Sequence, residues 1–134
     1  MSSYYEALPI FRAAMDTAVR VDAAVQRFPK GHRYTLGSRL RELSAEILVL
    51  VARANARSER AEALRVLCER VEELKLVAQL GKELKAFDSF KRFTEVMEQV
   101  MSLARQAEAW RRSSTSSSSQ KRPEPARSAP RGRP

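Results

Sequence analysis

The residues able to do chemistry in this 134-residue chain are few and poorly matched to one another. Its one histidine, His32, leaves no partner for a histidine-based metal cluster, and no His-dependent triad is expected. Its one cysteine, Cys68, rules out an internal disulfide framework. Cys68 also falls within an apolar helical stripe, so it reads as a small core residue rather than a nucleophile. Adjacent carboxylates such as Glu72 and Glu73 lie on helical polar faces among Arg and Lys, which balance them. There is no glycine-rich phosphate loop, no Cys-x-x-Cys, and no Glu-x-x-His of the kind a di-iron bundle uses. These residues predict no catalysis, no metal and no cofactor.

What remains is charge. The formal net charge is +9, unevenly distributed. Residues 1–110 hold 18 Lys/Arg against 15 Asp/Glu, while residues 111–134 hold 7 against Glu124 alone. Within the body, Lys30, His32, Arg33, Arg39 and Arg41 crowd one loop and the start of the helix that follows. Helical spacing sends Arg39, Arg53 and Arg57 to one side of that helix, where Glu42 and Glu46 join them. Unopposed Lys and Arg favour phosphate, so this cluster is a candidate nucleic-acid contact. The alternative is ordinary surface, with Arg stems covering apolar neighbours. Tyr34 either stacks on a base or fixes the loop against the body.

Four helical segments must position these groups. Leu8, Phe11, Met15, Ala18, Val21, Val25 and Phe28 recur at three- and four-residue steps, predicting a helix over 8–28. Pro29, Lys30 and Gly31 break it. A second helix over 34–56 carries Leu36, Leu40, Leu43, Ile47, Leu50 and Ala54. Its residues 47–52 are apolar at every position, so Ile47, Leu48, Val49 and Val51 are expected to pack against another subunit. Ser58 is placed to cap a third helix, with Glu59 and Glu62 in its first turn. That helix carries Leu64, Leu67, Cys68, Val71, Leu74, Val77 or Ala78, and Leu84, and Gly81 within it marks either close helix approach or a weakened last turn. Asp88 or Ser89 can cap a fourth, with Phe90, Phe93, Met97, Val100, Ala104, Ala107 and Trp110 as its apolar face.

The expected fold is therefore all-α, an up-down-up-down four-helix bundle over residues 1–112. Residues 113–134, rich in Ser, Pro and Arg, are expected to form a disordered basic tail. No apolar run reaches the roughly 18 residues that a membrane span requires. The start MSSYYEALPIF also lacks the basic-then-apolar order of a secretion signal, so a cytoplasmic protein is expected.

The stretch FPKGHRYTLGSRLRELSAEILVLVARAN, residues 28–55, resembles the loop and second helix of a known four-helix-bundle family. That family includes the accessory variability determinant (Avd) proteins of bacterial diversity-generating retroelements and the bundle proteins encoded within 23S ribosomal RNA insertions. Pro29, Arg33, Tyr34, Leu36, Gly37 and Arg39 carry the match. The segments LRVLCERVEELKLVAQLGKELKAF and FKRFTEVMEQVMSLARQAEAW resemble the Avd branch, through residues 82–85 and the aromatic ending at Trp110. The resemblance covers residues 5–110 and implies a homopentameric barrel of four-helix protomers. It further implies binding to a reverse transcriptase and to template RNA or complementary DNA, supporting mutagenic reverse transcription and retrohoming without a catalytic site. The alternatives are a ribosomal RNA-insertion bundle protein and a general helical scaffold for protein partners.

Overall fold

In the computed structural model, which describes residues 8–121, Pro9 opens helix α1 (Pro9–Gln26). Proline suits this position because its fixed φ is already helical and its missing N–H would have had no partner. Helix α1 buries Ala13, Ala14, Thr17, Val21, Ala24 and Val25. The buried stripe is thus rotated from the expected one, leaving Phe11, Met15 and Ala18 half-buried. Small residues dominate because α1 wedges between two neighbours. The hydroxyl of buried Thr17 is satisfied by donating to the Ala13 carbonyl at 2.8 Å.

After α1 the chain sinks Phe28 into the core and turns at Pro29. A loop is expected here, but the chain makes one helical turn, α2 (Lys30–Arg33). It is closed by the His32 and Arg33 amides donating to the Pro29 carbonyl at 2.9 and 3.0 Å. Helix α3 (Leu36–Ala54) follows at once. A side chain at Gly37 would place its Cβ 2.6 Å from Val25 Cγ1, so glycine is what lets α3 start this close to α1.

Ser58 does not cap the next helix. It lies inside a 3₁₀ turn (Arg57–Glu59) and makes no side-chain cap bond. The end of α3 is capped from the far side of that turn instead. Arg60 donates from Nε to the Ala54 carbonyl at 2.8 Å and from Nη2 to that of Asn55 at 3.0 Å. Arg60 opens α4 (Arg60–Glu83), which buries Ala63, Leu64, Leu67, Val71, Leu74, Ala78 and Gly81. Helix α4 ends with Lys85 in the left-handed region at φ 61°. The Ala86 amide reaches back to the Gly81 carbonyl at 2.9 Å and the Lys85 amide to that of Lys82 at 3.0 Å, a Schellman closure. Of the two readings of Gly81 the close approach holds, since a Cβ there would lie 3.1 Å from Phe87 and 3.2 Å from Leu36.

Helix α5 (Phe90–Lys121) is capped by Ser89, whose Oγ accepts the Arg92 amide at 3.0 Å. Helix α1 packs on α3 and α5, and α4 packs on the same two, closing a four-helix ring. Ion pairs Arg39–Glu73 and Glu46–Arg70 run in opposite sequence order across α3 and α4, as do the Asp22–Arg41 pair and the approach of Val25 to Gly37 across α1 and α3, so these neighbours are antiparallel. Leu40, Leu43, Ile47, Leu64, Leu67, Leu74 and Leu103 fill the centre. One end is closed by Phe28, Phe87 and Phe93 in edge contacts of 5.1 and 5.4 Å.

A break after residue 112 is expected, yet α5 continues to Lys121. Extending a helix already nucleated on the bundle needs no new nucleus, so weak Ser and Thr propensities suffice. At about 1.5 Å per residue α5 is roughly 48 Å long, and its last turns run beyond Arg60, the start of α4. The remaining part of the expected tail, residues 122–134, lies outside the described residues. Among the described residues no helix is long and apolar enough to cross a membrane.

Candidate interaction surfaces

The seven basic residues singled out by sequence do not form one patch. Lys30, His32 and Arg33 lie on α2, while Arg53 and Arg57 lie at the far end of α3. Nineteen residues of α3 separate those ends by roughly 28 Å. The Arg residues between them are occupied. Arg39 donates to Glu73 from Nη2 at 2.6 Å and Nε at 3.1 Å, and reaches Glu42 at 3.4 Å. The Glu73 hydrogen bond is the main cause of the raised Arg39 pKa. Arg41 pairs with Asp22 at 2.8 Å and Arg53 with Glu59 at 3.5 Å. The face shared with Glu42 and Glu46 is therefore a neutralised one. It borders a groove of about 620 Å³ between α3 and α4, with Val49 exposed in it and Glu46 taken by Arg70.

Arg33 is partly structural. Its Nη2 donates to the Phe28 carbonyl at 3.1 Å, beneath the turn, while its buried Nε has no partner. Its guanidinium lies over the Tyr34 ring at 5.9 Å, and Tyr34 is 65% exposed. The Tyr34 ring is held by Arg33 but not buried against the body. Lys30 and Arg57 have no ion pair among the described residues, and the His32 side chain has no hydrogen bond there.

The expected subunit interface on the second helix also changes. Ile47 and Val51 are fully buried in the protomer's own core, and Leu48 packs on its edge. Val49 alone of the four is exposed. Helix α3 is flanked by both α1 and α4, and this two-sided burial accounts for residues 47–52 without another subunit.

Among the described residues, an apolar strip is left open elsewhere, between α4 and α5. Leu76 and Leu80 are about half exposed, as is Leu84 beyond them, and Met101 faces them from α5. Leu76, Leu80 and Met101, together with Met97, line a shallow groove of about 770 Å³. Leu76, Leu80 and Leu84 recur at four-residue steps, a second stripe beside the buried one. That spacing was visible in the sequence, where only Leu84 was picked out, as a core residue.

No family model and no curated protein matches this chain.

Cys68 is half-buried on α4, opposite Glu108 and Arg111 of α5. Burial first, then the Glu108 carboxylate, push its thiol up to about 11. Glu108 itself is held below the usual carboxylate value by its hydrogen bonds from Arg111. At neutral pH the thiol stays protonated, which is the unreactive form. Among the described residues, no three of His, Cys, Asp and Glu gather to hold a metal. Sequence reasoning also missed Lys82, Lys85, Lys91 and an exposed Phe90. Phe90 was expected on the apolar face of the fourth helix, yet it is 69% exposed at the first position of α5. A side chain there projects off the bundle end, before the helix has neighbours on all sides.

Proposed function

We propose that this protein is a non-catalytic accessory subunit of a diversity-generating retroelement. It assembles with itself, binds the reverse transcriptase, and holds template RNA or complementary DNA during mutagenic reverse transcription and retrohoming. The resemblance over residues 28–55 supplies the family, and that of residues 64–87 and 90–110 the retroelement branch and with it the expectation of five copies. The observation that carries the reading is the pairing of two unlike surfaces on one small bundle. An open apolar strip of Leu76, Leu80, Met97 and Met101 suits a protein partner. Unpaired cations at the bundle end suit a polyanion. Neither surface contains a group poised for bond making: the one thiol is held protonated and the one imidazole has no hydrogen-bonded base or acid beside it. In this reading assembly uses the α4/α5 strip rather than Ile47 and Val51.

The test is co-purification with a co-expressed diversity-generating-retroelement reverse transcriptase, combined with native mass spectrometry. A stable complex and a five-copy mass are expected, and Leu80→Glu should reduce the mass to that of one chain. A monomer at micromolar concentration that fails to retain the polymerase would refute the proposal.

A further inference from the structure

Two turns that are distant in sequence meet at one end of the bundle. The α1–α3 connection and the α4–α5 connection are joined by the Phe28–Phe87 edge contact, by Arg27 and Asp88 at 3.8 Å, and by Leu36 packing at Gly81. Residues 27–35 and 82–92 carry seven Lys/Arg against two acids, Glu83 and Asp88. Asp88 is already shared between Arg27 and Arg92, the latter at 2.8 Å, and Glu83 pairs with Lys82 at 3.2 Å. Lys30 and Lys85 have no ion pair among the described residues. Lys91 reaches Glu95 only at 3.9 Å and stays 84% exposed. No other part of the described surface combines such an excess with open aromatic rings.

The aromatic rings decide between polyanions. Tyr34 and Phe90 are the two most exposed large hydrophobic residues among those described, at 65% and 69%. Tyr34 is backed by Arg33, and Phe90 leans on Phe93 at 5.9 Å. Rings standing out of a basic surface have little to offer a duplex, whose bases are already stacked. An unpaired strand presents base faces that stack on such rings and phosphates that pair with the lysines.

We propose that this end of the bundle binds single-stranded nucleic acid, with Tyr34 and Phe90 as stacking platforms and Lys30, Lys85 and Lys91 as phosphate contacts. This rests on the nucleic-acid part of the proposed function and names the form of the ligand and its place. The basic arm formed by the end of α5 leaves from the opposite end of the bundle, so the two contributions are separable by mutation.

The experiment is fluorescence anisotropy of the full chain with a labelled mixed-sequence oligonucleotide, single-stranded and as a duplex, across a salt series. Tyr34→Ala and Phe90→Ala should each weaken single-strand binding by about 5- to 150-fold, the range measured when a stacking ring is removed. The paired change Lys30→Ala with Lys85→Ala should lower the slope of log K against log salt by about 0.7 per lost phosphate contact. Because the rings are exposed, circular dichroism should report an unchanged fold. A chain lacking residues 113–134 should keep the preference for the single strand. Equal affinity for the duplex, or insensitivity to both ring variants, overturns the proposal, as does complete loss of binding on removal of residues 113–134. If that happens while the reverse transcriptase is still retained, the bundle-end assignment fails and the accessory function stands. If neither oligonucleotide nor polymerase binds, both fail. Loss of the polymerase, rather than the oligonucleotide, in the ring variants would assign this end to a protein partner instead.

Discussion

Gly37 holds the bundle end together, and replacing it with alanine tests that claim directly. Alanine is favoured over glycine in a helix by about 1 kcal/mol, so propensity alone predicts stabilisation. Packing predicts the reverse. The new Cβ would sit 2.6 Å from Val25 Cγ1, closer than any tolerated contact, with the His32 carbonyl at 3.4 Å and Phe28 at 3.5 Å on its other sides. Val25 is fully buried and β-branched, so it has no free rotamer into which to retreat. Overpacking of this kind costs about 1–3 kcal/mol, which exceeds the propensity gain at its centre. The expected result is a net loss of about 1 kcal/mol in urea unfolding followed by circular dichroism. Val25→Ala alone should cost about 2–3 kcal/mol from lost burial and the cavity left behind. It also removes the methyl that clashes, so the double variant should lose less than the sum of the singles by at least about 1 kcal/mol. Gly31→Ala is the control. Nothing lies within 4 Å of a Cβ there, and the change should leave stability equal or raise it by about 0.5–1 kcal/mol. A Gly37→Ala chain as stable as the parent, with the two changes simply additive, would falsify the close-approach argument.

Lys85→Gly should raise stability by about 1 kcal/mol, because φ 61° is strained for lysine and free for glycine. The same change should weaken oligonucleotide binding, so thermal melting and anisotropy must move in opposite senses. A thiol near pKa 11 carries about 100-fold less thiolate at pH 8 than one at its ordinary value of 9.0. Iodoacetamide should therefore label Cys68 about 100-fold more slowly in the native chain than in urea, and equal rates would place it at the surface. Arg65 lowers the Glu62 pKa and Arg111 lowers that of Glu108. For a lowered carboxylate the stabilisation is present above the ordinary value of 4.5 and is lost as pH falls through the folded value. Acid unfolding should steepen below pH 4.5, and Arg111→Ala should flatten that fall; an identical acid profile would remove Glu108 from the account.

Much of the fold was legible because it depends on local period. The α3 stripe of Leu40, Leu43, Ile47, Leu50 and Ala54 is buried as its spacing predicts. Gly81 marks a close approach and Ser89 is a cap. What failed depends on register between helices. Arg39 meets Glu73, 34 residues away, and no local pattern announces that their helices bring them level. The run at 47–52 illustrates the same limit. A helix in a four-helix ring touches two neighbours, so its buried arc is wide enough to take Ile47, Leu50 and Val51 inward and leave Val49 alone outside. The basic residues were legible as a list but not as a surface, since half of the bundle-end charge comes from the α4–α5 turn.

That separation also explains why the sides and the ends of the bundle differ electrostatically. Along α3 and α4 every Arg except Arg60, which caps the end of α3, meets an acid within one helix or across two, as Arg39 does with Glu73 and Glu42, and Arg70 with Glu46. Exposed pairs of this kind contribute little to stability, but they cancel the field a phosphate would feel. At the turns no facing helix supplies the acid, and Lys30 and Lys85 stay unpaired. Glu73→Gln tests whether cancellation is what keeps polyanions off the sides. It removes a charge while keeping a hydrogen-bond acceptor for Arg39, so folding should be nearly unchanged. If Arg39 then becomes a phosphate contact, single-strand affinity rises and the salt slope steepens by about 0.7. A slope identical to that of the parent would mean that the side of the bundle is excluded by shape rather than by charge, and the field argument would have to be abandoned.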